Sequence, residues 1–331
     1  MSQKNGEYTK SDLEAARILD DFIPDMVFDA HMHHVPTPSR VYDDDFSLYK
    51  NDFRPVFGSR KQYANIIAFP VNGMSDEKGK ATELVDLSTE IIRNQLIKHP
   101  ELVAEVMVAP GDSEEDIEKR IAAAGEDRII GLKPYHLLSV KKPTFNADIC
   151  EYLPESAWEV AEKRGLAITL HMVKDLSLSD PVNLSYIKEH AVRYKNVKFI
   201  LAHCARSFAG WTVFESIDEI ANIDNIFFDF AGICESPQMF ICIKKAGIER
   251  ALWGSDWNVS ALAGKPISLA DRFYWIGEKD LERMSGNTEF NSWLVGTENL
   301  MAVRQAAQML ELKAGDVEKL FYRNAKELFS K

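Results

Sequence analysis

Short apolar, β-branched runs that end in polar or glycine-containing turns recur along the chain. They are Met26–Asp29, Ile66–Phe69, Val103–Val108, Ile129–Lys133, Ala167–His171, Val197–His203, Ile226–Asp229 and Ala251–Asp256. Runs of this length and composition predict buried strands. Between them, apolar residues at three- and four-residue spacing predict helices at Ala81–Lys98, Ser113–Ala124, Pro154–Arg164, Leu184–Tyr194, Trp211–Ala221 and Pro237–Ala246. Strands alternating with helices form a parallel sheet with helical crossovers, so the class is α/β. Eight such units favour a closed (β/α)8 TIM barrel over an open doubly wound sheet. The first run also lacks the glycine-rich turn with which an open nucleotide-binding sheet begins.

No repeat, linker or low-complexity tract divides the chain, which reads as one domain over residues 1–331. Residues 1–25 form an expected N-terminal helical extension. The connections 35–62 and 257–289, after the first and eighth strands, are long and rich in aromatic and acidic residues, which suits the walls of a pocket. Residues 291–331 read as two C-terminal helices, one ending near Leu310 and the other starting around Ala314.

Charge then narrows the choice of partners. Acidic residues outnumber basic ones 51 to 39, and no Lys/Arg cluster offers a footprint for nucleic acid or an anionic membrane. No segment has the run of about 20 apolar residues that a membrane span needs. Cys150, Cys204, Cys234 and Cys242 lack CxxC spacing and read as reduced thiols, so the expected compartment is the cytoplasm.

The chemistry is concentrated at the strand ends, where barrel enzymes carry their functional groups. In an extended segment His31 and His33 share a face and can grip one ion together. Taken alone this pair is a weak motif. It gains weight because His171, His203 and Asp256 end three further strands and would be aimed at the same point. Imidazoles with a carboxylate suit one divalent metal, zinc first and manganese, cobalt or iron after it. His99 and His190 fall in helical contexts and read as solvated, while His34 points away from the ligand pair. Lys133 has three readings: a lysine snorkelling to the surface, a cation for an anionic substrate group, or a carbamylated bridge to a second metal.

These elements together resemble the amidohydrolase superfamily: H-x-H after strand one, Lys133 after strand four, His171 and His203 after strands five and six, and Asp256 after strand eight. The phrases Phe28–His33, Ala202–Arg206, Trp253–Asp256 and Phe321–Ala325 are similar to its amidohydrolase-related branch of lactonases, C–C hydrolases and aminocarboxymuconate-semialdehyde-type decarboxylases. The resemblance implies that His31, His33, His171 and Asp256 hold the ion and a water. His203 would then polarise a substrate oxygen, and Asp256 would also take the proton of the attacking water. The chain departs from the pattern at Cys204-Ala205, where many relatives carry a small residue and glycine.

For binding, Arg206 suits a forked grip on a carboxylate, with a surface salt bridge as its alternative. Tyr135 and His136 follow Lys133 toward the mouth, and Trp257 offers an apolar wall or simple packing. The expected partner is therefore a small acidic molecule, with homo-oligomer formation left open. The first functional reading is a hydrolase of a carboxylated or sugar-acid-derived lactone, amide or activated C–C bond, acting through metal-activated water. The alternative is a non-oxidative decarboxylase of an aromatic or muconate-type acid on the same metal. A metal-free binding protein on this barrel is the third.

Overall fold

The computed structural model describes residues 8–70, 78–277, 279–280, 283 and 293–330. Eight parallel strands follow one another around the barrel in sequence order. They are β1 (Met26–His34), β2 (Lys61–Ala68), β3 (Leu102–Val108), β4 (Ile129–Pro134), β5 (Ala167–Leu170), β6 (Lys198–Leu201), β7 (Ile226–Asp229) and β8 (Ala251–Leu252). The last and first strands are drawn together by backbone bonds, Ala30 N to Trp253 O at 2.9 Å, Asp256 N to His31 O at 2.9 Å and His33 N to Trp257 O at 2.8 Å. The result is the nearly closed (β/α)8 barrel that the alternation predicts.

Local chemistry explains where the helices begin and end. Ser113 and Asp116 form a reciprocal capping box at the start of Glu114–Ala124, and Asp180 caps Pro181–Arg193, whose proline needs no donor at the first position. Gly165, at φ 64°, ends Glu155–Arg164 in the left-handed region. Around the barrel the crossover helices bury their apolar faces on the strands in one continuous core.

Inside the barrel the two ends differ. Near the strand starts, Phe28, Ile130, Ala167, Ile200 and Leu252 cluster with Leu328 and Phe329 from the C-terminal helix, so that end is plugged by apolar side chains. Near the strand ends, the inward residues turn polar. Two glycines make room there. A Cβ on Gly131 would meet Glu105 Cγ at 2.9 Å, and one on Gly254 would meet His31 Cβ at 2.7 Å.

Several expected boundaries move. The connection 35–62 carries two helices, Asp45–Asp52 and Arg54–Phe57, and β2 begins at Lys61, earlier than the apolar run suggests. The segment after β8 contains an antiparallel hairpin, β9 (Gly264–Leu269) and β10 (Arg272–Gly277). β8 itself stops at Leu252, so Asp256 lies beyond the strand. A helix, Lys10–Asp20, forms in the N-terminal extension, and Val295–Met309 and Ala314–Glu318 begin the C-terminal pair. Residues 1–7 of that extension, and 278, 281–282 and 284–292 after the hairpin, lie outside the described residues. Among the described residues no helix is long and apolar enough to cross a membrane.

Candidate metal centre

β1 is bulged between Asp29 and Met32, and the His31 and His33 rings both enter the polar mouth, with Nε2 atoms 3.2 Å apart. Each ring is oriented through its other nitrogen. His31 Nδ1 lies 2.9 Å from Asp229 Oδ2, His33 Nδ1 lies 3.4 Å from the Ile67 carbonyl, and His203 Nδ1 lies 2.7 Å from the Ala231 carbonyl. A carbonyl only accepts, so Nδ1 of His203 carries the proton and its Nε2 offers a lone pair. The Asp229 carboxylate imposes the same tautomer on His31.

The Nε2 atoms then meet other acceptors. His33 Nε2 is 2.9 Å from Asp256 Oδ1, and His203 Nε2 is 3.1 Å from His171 Nδ1. Burial pushes the His31, His33 and His171 imidazoles toward the neutral form, and the nearby Lys133 charge adds to this. Burial acts on Asp256 in the opposite sense, yet the His33 hydrogen bond and the His203 and His31 rings hold its carboxyl well below the usual range. The Nε2 lone pairs of His31 and His203 thus converge with the Asp256 carboxylate on one point, an arrangement that a cation stabilises. Donor atoms of His31, His203 and Asp256 all fall within 4.8 Å of one another. The donor set fits a divalent ion.

Buried charge points the same way. Glu105, Asp229 and Asp256 are buried together with Lys133, on which the charges of all three act, while Asp29 is buried behind β1 beside Ser255 and Tyr49. Burial raises Glu105 to about 7 and Asp29 to about 6. Glu105 Oε1 accepts from Asn65 Nδ2 at 2.7 Å and from Thr169 Oγ1 at 2.6 Å, while its Oε2 and Lys133 Nζ have no hydrogen-bond partner among the described residues.

The structure brings all five metal-competent residues together. His203 stands within the tightest donor set, closer in role to a ligand than the sequence reading placed it; His33 and His171 line the same point. Lys133 is fully buried, which removes the snorkelling reading. Arg206 is also buried, and its Nη1 donates to the Lys174 carbonyl at 3.0 Å and to Ser177 Oγ at 3.2 Å, which removes the surface salt bridge. Tyr135, His136 and His171 stack beside the mouth, His136 also bonding Thr144 Oγ1 at 3.1 Å. Trp257 is turned to packing: its indole donates to Asp52 Oδ2 at 2.7 Å and its ring meets Tyr49 edge-on.

His203 opens a turn in which four consecutive residues adopt positive φ: His203 at 59°, Cys204 at 51°, Ala205 at 58° and Arg206 at 56°. A left-handed turn of non-glycine residues is strained and survives where its surroundings over-determine it. Asp229 Oδ1 accepts from His203 N at 2.9 Å, and Ser177 Oγ donates to the Arg206 carbonyl at 3.0 Å. This resolves the shape of the unusual Cys204-Ala205 loop. Two further readings change. His190 is buried against Trp158 and Tyr186, and His99 is half-buried beside Asp44, so neither is fully solvated. His34 is buried on the far face, near Ser88, as expected from alternation. Sequence reasoning passed over Asp229 and Glu105. Asp229 ends a strand run, and Glu105 interrupts an apolar one; both patterns carry the signal.

A family model for the amidohydrolases matches residues 28–331. The chain belongs to the amidohydrolase family. Its structural relatives within this family fold span different reactions. 4-Oxalomesaconate hydratase from Rhodopseudomonas palustris is 11% identical, with 92% of this chain and 95% of that one covered and a TM-score of 0.61. 2,6-Dihydroxybenzoate decarboxylase from Rhizobium is 12% identical, covering 93% and 99%, at 0.52. An amidohydrolase from Burkholderia multivorans with bound zinc is 11% identical, covering 92% and 99%, at 0.53. No curated protein matches the chain. At these identities the structural likeness is one of fold.

Proposed function

We propose that this amidohydrolase is a zinc-type metal-dependent hydrolase of a small carboxylated substrate. The observation that carries the reading is the convergence of His31, His203 and Asp256 donor atoms within 4.8 Å at the polar end of the barrel. His31, His203 and Asp256, with His33 and His171 beside them, would hold a divalent ion, which would supply Lewis acidity toward a carbonyl oxygen and acidify water. The remaining work falls to the chain. Asp256, held ionised by His33, accepts the proton of the attacking water. Burial pushes the Tyr135 phenol up, so its hydroxyl stays a donor for the oxygen on which charge develops. Lys133 and Arg206 attract the carboxylate of the substrate. Unpaired cysteines fit the cytoplasm as the working compartment.

The test has two parts. Protein purified without chelator is analysed for metals, with close to one equivalent expected; close to two would assign Lys133 as a bridging carbamate. Lactones, amides and aromatic acids are then offered in 18O-water. Solvent label in the acid product is expected, whereas CO2 release without label overturns hydrolysis in favour of decarboxylation.

A further inference from the structure

The seam between β1 and β8 carries two of the donor residues, and one buried carboxylate joins the segments that hold them. The bulge after Asp29 takes His31 out of the β1–β2 register, so its backbone N–H turns to a side chain. On the other side β8 ends at Leu252, which leaves the Ser255 N–H beyond the strand. Asp29 Oδ1 accepts both, from His31 N at 2.9 Å and from Ser255 N at 2.9 Å. A single oxygen thus satisfies two buried donors that the strand ladder leaves over.

The joint is tight on both sides. Gly254 passes so close to β1 that a Cβ there would meet His31 N at 3.2 Å. Asp256 adopts φ 57°, a left-handed conformation in which a non-glycine residue persists only where its surroundings hold it. Its own N–H reaches the His31 carbonyl at 2.9 Å, and Trp257 N donates to Ser255 Oγ at 3.0 Å. Asp29 itself is fully buried, behind the donor set. The same construction recurs across the barrel, where Asp229 Oδ1 accepts from His203 N at 2.9 Å and from Ala231 N at 3.1 Å. A strand aspartate that gathers two backbone donors therefore stands behind His31 and Asp256 on one side and behind His203 on the other.

We propose that Asp29 is the positioning residue that registers His31 against Asp256, and that it acts through Oδ1 as an acceptor, not through its charge. This inference rests on reading His31 and Asp256 as ligands of one ion, and it adds what sets their relative placement. A carboxamide in place of the carboxylate still offers an oxygen to both N–H groups. A methyl group offers none, and the turn that carries Asp256 is then free to relax. Groups that orient ligands in this way carry about 10–100-fold of metal affinity.

The experiment compares Asp29→Asn and Asp29→Ala with the unsubstituted enzyme. Zinc affinity is measured against a chelating dye, and the visible spectrum of the cobalt(II)-loaded protein reports ligand geometry. Asp29→Asn should keep zinc affinity within about threefold with an unchanged cobalt spectrum, whereas Asp29→Ala should lose about tenfold or more with its bands displaced. Equal losses in the two variants overturn the proposal in favour of the charge. An Asp29→Ala protein that is only less stable to urea, with affinity and spectrum unchanged, overturns it in favour of a packing role. A metal-free readout accompanies these: in stripped, unsubstituted protein the His31 and Ser255 amides should exchange as slowly as those of the barrel strands. Fast exchange at either amide overturns the proposal. Should Asp29→Ala fail to fold, amide exchange and Asp29→Asn decide together. The exchange measurement also separates two failures, because protein that takes up neither zinc nor cobalt removes the ion while the two amides still uphold or overturn the Asp29 clamp.

Discussion

Tautomer control decides what the histidines can do. Asp229 and the Ala231 carbonyl hold the Nδ1 protons of His31 and His203, which leaves the inward nitrogens as donors for an ion. Asp256 is the one ionised group among these inward donors, so Asp256→Asn should lower metal content below about one-tenth of an equivalent and turnover by roughly 10²–10⁴-fold. Full metal occupancy with intact turnover would contradict its place in the site. The left-handed turn makes a second residue-level prediction. Ala205 already sits at φ 58°, where glycine pays no steric penalty, whereas Ala161 lies inside the helix Glu155–Arg164. Ala161→Gly should cost about 1 kcal/mol or more in urea unfolding, and Ala205→Gly less than about 1 kcal/mol. Equal losses would mean that Ala205 is unstrained.

Elements outside the barrel proper shape the mouth. An isolated two-stranded hairpin is marginal in water, so β9–β10 depends on its attachments. Ser268 provides the centre of them: its Oγ lies 2.7 Å from Glu235 Oε2 and 3.1 Å from the Phe208 carbonyl, and it accepts from Gly210 N at 3.1 Å. Phe273 packs on Phe208 at 5.0 Å, and Phe208 on His203 at 5.3 Å, which couples the hairpin to the strained turn. Ser268→Ala should speed amide exchange across residues 264–277 by tenfold or more and leave the barrel strands unchanged. Uniform exchange rates in both proteins would show that the hairpin is held by its rings alone. None of this was visible in the connection 257–289, because its alternation is short and its partners lie on β6 and β7 loops far away in sequence.

For the whole molecule, the polar mouth works against stability and an ion offsets it. An ion binding only the folded chain stabilises it by about 2.7 kcal/mol at a hundred times its dissociation constant. Adding zinc to stripped protein should therefore raise the unfolding midpoint by several degrees, and His31→Ala should remove the response. Glu105 adds a pH dependence. Its folded value is raised to about 7, so its favourable contribution is complete below the unfolded range near pH 4.5 and is lost as pH rises through about 7. In metal-free protein, Glu105→Gln should gain stability relative to the parent between pH 5 and pH 8; a pH-independent difference would place the charge elsewhere. Sequence by itself determined the alternation of strands and helices, the barrel class, and the gathering of His31, His33, Lys133, His171, His203 and Asp256 at the C-terminal face of the barrel, within or just beyond its strands, because burial periodicity and the direction of parallel strands are local consequences of residue order. Tertiary structure alone decided which nitrogens face inward, that Lys133 Nζ and Arg206 Nε are buried without a hydrogen-bond partner among the described residues, that Asp229 orients two histidines, and that Trp257 packs against Tyr49. Those outcomes depend on contacts between residues up to about two hundred positions apart, such as His31 with Asp229, and periodicity carries no record of them.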